Sequence, residues 1–179
     1  MQNEKGGGWV KRVNYLKAAF SVVMGIYAFV CAGDVTVHRF LDRVDLVAHE
    51  AGHLLFSWFG TFPQVLGGTV GQLFVPLAFT VYFFLRKELF SSTVTLFWSG
   101  QNLFNISVYV KDAQAMALPL VSVGGGEDVI HDWNYILARL GLLRWDQQIG
   151  VLIFTLGLLV LLASVMLAGY FSIERIEEE

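Results

Sequence analysis

Uncharged runs of membrane-spanning length, each bracketed by charged residues, constrain this chain more than any other feature. Between Lys17 and Asp34 lie 16 uncharged residues. That run extends backward through Tyr15 and Leu16, because the Lys17 stem can follow apolar surface while its ammonium stays in water. Leu54 to Leu85 is uncharged for 32 residues and is divided by Gly60 and Pro63; Leu89 to Val110 gives 22 and Ile149 to Ile173 gives 25. A helix crosses the hydrocarbon core in roughly 17–25 residues. Backbone groups in lipid must be satisfied within their own segment, so such runs are helices rather than lone strands. The expectation is an all-α, polytopic membrane bundle of about five hydrophobic helices, near residues 15–32, 41–59, 66–86, 89–110 and 147–172. A short helix is expected to start near Trp133.

Composition agrees with a lipid-facing exterior. Hydrophobic residues make up 55% of the 179 and charged residues only 15%, against about 25% charged in ordinary soluble domains. The whole chain, 1–179, reads as a single membrane domain with a short basic N-terminal segment (1–14), a polar loop (111–132) and an acidic, solvated tail (174–179). Gly124-Gly125-Gly126 reads as a loop or close-approach point. Net charge is −3 with no basic face, which makes nucleic acid a poor partner. The one cysteine, Cys31, has no intramolecular partner and reads as buried filler. Lys5, Lys11, Arg12 and Lys17 precede the first apolar run in the manner of an uncleaved signal-anchor, which favours a cytoplasmic N-terminus. Five crossings would then put the acidic tail on the opposite side.

The second helix breaks the rule that membrane segments avoid ionisable groups. It contains His49-Glu50-Ala51-Gly52-His53, three ionisable side chains in five positions. Such residues are costly in a membrane and are a functional hypothesis by default. His49 and His53 are one helical turn apart and project from the same face, so two imidazoles at that spacing can bind one Zn²⁺. Glu50 is rotated about 100° from His49, too far to be an ideal ligand but well placed to act as general base on a zinc-activated water. Gly52 would allow close approach of another backbone or of a substrate strand.

A catalytic zinc needs a third protein ligand and an open position. Histidine occurs only at positions 38, 49, 53 and 131. His131 and Asp132 stand together just before a helical pattern, and both are candidates; Asp132 is also a good helix N-cap there. At this point the chain resembles the site-2-protease group of intramembrane zinc metallopeptidases. His49-Glu50-Ala51-Gly52-His53 matches the first motif of that family. The family takes its third ligand from a later aspartate, usually in an Asp-Gly pair before a helix containing Ile-Leu. Asp132-Trp133-Asn134-Tyr135-Ile136-Leu137 is similar to that element, with tryptophan in place of glycine. The resemblance spans roughly residues 41–140 and implies Asp132 as the third ligand, with His131 as its rival.

The fourth helix carries Asn102, Asn105, Tyr109 and Asp112 on one face. Interhelical hydrogen bonding accounts for such a stripe. A sharper reading makes Asn102 or Asn105 a donor to a substrate backbone or oxyanion. Gln72 reads as a packing residue, and Pro76 is expected to kink its helix and free a carbonyl. Trp58, Trp98, Trp133 and Trp145 suit interfacial belts. The pattern thus points to a zinc-dependent protease acting on a membrane protein or peptide within the lipid bilayer. Its rivals are a non-catalytic pseudoprotease that retains substrates, and a metal- or ion-handling membrane protein using His49, Glu50, His53 and Asp112.

Overall fold

The computed structural model describes residues 9–118 and 131–177. Gly124-Gly125-Gly126 and most of the expected polar loop lie outside the described residues. In chain order the elements are β1 (Trp9–Val13), α1 (Tyr15–Gly33), α2 (Phe40–Phe56), α3 (Thr61–Leu85), α4 (Leu89–Lys111), α5 (Asp132–Arg139), α6 (Asp146–Phe171) and β2 (Ile173–Glu177).

Local chemistry explains where these helices begin and end. The Asn14 side chain accepts from the Lys17 backbone N–H at 3.2 Å, capping α1. At the start of α2 the Arg39 backbone N–H donates to the Asp42 carboxylate at 2.6 Å, one half of a capping box. That helix stops at Phe56, short of the expected residue 59, and tightens into a 3₁₀ turn over Ser57–Phe59. Gly60 then turns the chain with φ at +94°, a conformation open to glycine. Next, α3 starts at once, at Thr61 rather than near residue 66. Pro63 falls in its first turn, where a missing N–H costs nothing. Pro76 lies inside α3 without ending it. Its missing N–H leaves the Gln72 carbonyl without a helical donor, and the Asn102 side-chain amide donates to that carbonyl at 2.9 Å.

Contacts along the helices fix their directions. Phe20 of α1 meets Phe90 of α4, and Tyr27 meets Phe97, so α1 and α4 run parallel. In α3, Thr80 bonds Thr95 while Gln72 bonds Asn102, so α3 runs against α4. Phe104 stacks on Phe154 at 4.7 Å, while the Lys111 ammonium also lies over Phe154. Leu161 packs at Gly100, so α6 also runs against α4. Here α2 is the exception. It begins beside the middle of α4, with Asp42 on Gln101 and Asp45 on Trp98 and Asn102, and continues in the direction of α1. Thus α1 and α2 share one pass along the bundle, and the long helices make an even number of passes.

The ends of the chain record this. β1 and β2 pair antiparallel from Trp9 with Glu177 to Val13 with Ile173. The Lys17 ammonium bonds Glu174 at 2.7 Å beneath the ribbon. The expectation that the two ends lie on opposite sides is therefore corrected: they lie at the same end of the bundle. The residues expected as a solvated acidic tail include a paired strand.

Among the described residues, three segments are long and apolar enough to cross a membrane: Tyr15–Gly33, Thr61–Leu85 and Leu143–Phe171. Large apolar side chains face outward, including Leu16, Phe29, Phe84 and Leu152, while Ser99, Gln101, Asn102 and Ser107 of α4 are buried. An apolar outside around a polar inside is the surface of a membrane protein. Of the five expected hydrophobic helices, α1, α3 and α6 meet that measure, while α2 and α4 carry an internal polar network. Between α1, α4 and α6, Cys31 is buried with Met24, Phe97, Leu161 and Ala168. The Trp98 indole N–H donates to the Asp45 carboxylate at 2.7 Å.

Candidate metal centre

Helix periodicity brings His49 and His53 to one face of α2, with ring centroids 4.6 Å apart and planes at 84°. That face lies against α3 at very short range. A Cβ on Gly52 would strike the Gly67 carbonyl oxygen. So the close approach expected at Gly52 is made by the backbone of α3. Directly beneath the rings, a Cβ on Gly68 would lie 2.6 Å from the Nε2 atoms of both histidines. The space in front of the two nitrogens exists because residue 68 has no side chain.

The short helix α5 supplies the third group. His131, not Asp132, is its N-cap: the His131 Nδ1 accepts from the Asn134 backbone N–H at 3.2 Å. That leaves the proton on Nε2, which faces the Asp112 carboxylate at 3.2 Å. Asp112 is itself held by the backbone N–H groups of Ala117 and Leu118. The His131 ring lies 4.4 Å from that of Tyr109, and the Tyr109 hydroxyl accepts from the Asp132 backbone N–H at 3.3 Å. With α5 docked in this way, Asp132 Oδ2 lies 2.8 Å from His49 Nε2 and 3.2 Å from His53 Nε2. Asp132 is 5% exposed and His49 8%. His131 and Asp132 are adjacent at the start of α5, but only Asp132 is turned toward the histidine pair, while His131 is turned toward Asp112.

The far side of each imidazole is also engaged. His53 Nδ1 is 2.9 Å from the Gln64 backbone carbonyl, an acceptor only, so that nitrogen carries the proton. His49 Nδ1 is 2.6 Å from Gln72 Oε1. Anchored Nδ1–H groups leave both Nε2 lone pairs free to act as ligands, the arrangement by which outer acceptors orient metal-binding histidines. Two such lone pairs aimed at one carboxylate oxygen repel unless a proton or a cation lies among them. A tetrahedral zinc with bonds near 2.0–2.1 Å holds its ligand atoms roughly 3.3 Å apart. The observed 2.8 and 3.2 Å need only a small expansion to match. The donor set fits Zn²⁺.

Glu50 is half-buried beside the pair, with a carboxylate oxygen within 4.8 Å of ligand atoms of both histidines. Among the described residues its carboxylate has no hydrogen-bond partner. At that spacing His49, Glu50 and His53 could themselves hold a metal ion, and Asp132 Oδ2 lies at 2.8 and 3.2 Å from the two Nε2 atoms. The asparagine stripe is corrected in part. Asn102 is fully buried and fully used: its amide donates to Asp45 Oδ1 at 2.8 Å and to the Gln72 carbonyl, and its oxygen accepts from Gln72 Nε2 at 2.6 Å. No donor remains for a substrate. Asn105 is half-buried and only loosely held, 3.4 Å from Asp42 Oδ1. Gln72 was not legible as a site residue; its one signal was a position one helical turn before a proline within an apolar run. Protein-family models, curated proteins and solved structures give no match to this chain.

Proposed function

We propose that this protein is a zinc-dependent intramembrane metallopeptidase, akin to the site-2-protease group, with His49, His53 and Asp132 as metal ligands and Glu50 as general base. The observation that carries the reading is the convergence of two Nε2 atoms on one carboxylate oxygen from a separate helix, with both Nδ1 atoms already committed to acceptors. Zn²⁺ held there supplies a Lewis acid that makes water nucleophilic near neutral pH and polarises a peptide carbonyl. Glu50 takes the proton of the attacking water and delivers it to the leaving amine. Asn105, whose amide makes only a long 3.4 Å bond to Asp42, is the asparagine that would hold a substrate backbone. The substrate is a membrane-embedded segment that unwinds locally, since a helical carbonyl is already hydrogen-bonded. A cytoplasmic N-terminus, favoured by the basic residues before α1, places the β1–β2 ribbon in the cytoplasm and the metal centre nearer the other face.

Metal analysis of the purified protein tests the centre, with about one zinc per chain expected. His49→Ala should lose it, and Glu50→Gln should keep it. Glu50→Gln should also abolish cleavage of a reconstituted membrane substrate, since an amide cannot take the water proton. A Glu50→Gln protein that performs its cellular role in full would leave a non-catalytic binding protein as the answer.

A further inference from the structure

A chain of buried amides runs behind His49, and its polarity is forced from one end. It starts at the Gln72 backbone carbonyl, which Pro76 leaves without a helical donor. A carbonyl only accepts, so the Asn102 group 2.9 Å from it is the NH₂. The same NH₂ also reaches Asp45 Oδ1 at 2.8 Å, while Trp98 donates to that oxygen at 2.7 Å. The Asn102 oxygen must then point the other way, where it meets Gln72 Nε2 at 2.6 Å. That fixes the Gln72 amide in turn and presents its oxygen to His49 Nδ1 at 2.6 Å. Asn102 is fully buried and Gln72 is 3% exposed, so water does not offer an alternative set of partners.

We propose that Gln72 and Asn102 are positioning residues that lock His49 with a proton on Nδ1, keeping its Nε2 lone pair directed at the metal position. The proposal deepens the metallopeptidase reading and rests on it. Without the lock, His49 would gain by moving its proton to Nε2, where Asp132 Oδ2 at 2.8 Å is a ready acceptor. That tautomer cannot bind a metal through Nε2. The lock therefore holds the site in its ligand form against the pull of its own third ligand. Outer-shell partners of this kind are worth about 10- to 100-fold in metal affinity.

The test compares Gln72→Met and Gln72→Glu with the parent protein. Methionine is close in volume and has no amide. A neutral glutamic acid copies the relay, donating O–H to Asn102 and accepting from His49. Zinc affinity is measured by chelator competition, and ¹⁵N spectra of histidine-labelled, chelator-treated protein report which ring nitrogen of His49 carries the proton; His49→Ala identifies the signal. The parent and Gln72→Glu should show Nδ1 protonated and bind zinc within a few-fold of each other. Gln72→Met should lose about 10- to 100-fold in affinity and show Nδ1 unprotonated, at unchanged helix content. Asn102→Leu is the second variant, expected to loosen the tautomer in the same direction. Parental tautomer and affinity in Gln72→Met would overturn the proposal, as would equal zinc loss in the Met and Glu variants. A parent without zinc but with the expected tautomers would sink the metal reading while leaving the lock intact.

Discussion

Replacing Gly68 by alanine is the sharpest perturbation of the candidate centre that substitutes none of the proposed ligands. The added Cβ would lie 2.6 Å from the Nε2 atoms of both His49 and His53. Ordinary contact begins at 3.4 Å, so the rings must retreat by some 0.8 Å. Neither ring is free to do so, because His49 is tied to Gln72 and His53 to the Gln64 carbonyl. Metal–ligand distances tolerate about ±0.2 Å, and the shift is several times that. We expect zinc affinity to fall by a factor on the order of 100 or more, which corresponds to about 2.7 kcal/mol. Overpacking adds a destabilisation of about 1–3 kcal/mol. Gly52→Ala is the control. Its Cβ would strike the Gly67 carbonyl, so it should separate α2 from α3 and lower thermal stability. Chelator competition and thermal unfolding in detergent distinguish the two. Gly68→Ala protein that binds zinc with parental affinity would refute the reasoning, since the metal position could then not be the space in front of Nε2.

Asp132→Asn should lower zinc content sharply, whereas His131→Ala should lower it mildly and cost about 1 kcal/mol of stability as a lost N-cap; metal analysis with thermal unfolding reads both, and the reverse order would move the ligand role to His131. Reporter fusions at the two ends should report the same side of the membrane, because β1 and β2 are paired. Hydrogen bonds from Lys17 and Asn14 hold the Glu174 carboxyl below its usual range. A depressed carboxylate stabilises above its unfolded pKa and loses that contribution as pH falls through its folded pKa. Acidification below the ordinary glutamate range, or Glu174→Gln at neutral pH, should therefore speed amide exchange at Val10 to Val13 and leave α4 protected.

Features that depend only on near neighbours were legible in the chain. Charged brackets and Gly60 set helix limits to within a few residues, because caps and breakers act over one turn. His49, Glu50 and His53 were legible because a helical period alone places them. Asp132 came from resemblance to a family motif, and its choice over His131 could not come from spacing, since two adjacent residues differ only in which way the docked α5 turns them. The docked helix turns Asp132 toward the histidines and His131 away from them, through His131 capping the helix and pairing with Asp112. Packing also spends Asn102 on an internal relay, puts Gln72 behind a histidine and joins Trp98 to Asp45. Pairing of Trp9–Val13 with Ile173–Glu177 joins segments from opposite ends of the chain. No local pattern marks such a pairing, because it exists only once α1 and α2 share a single pass and α6 returns beside them.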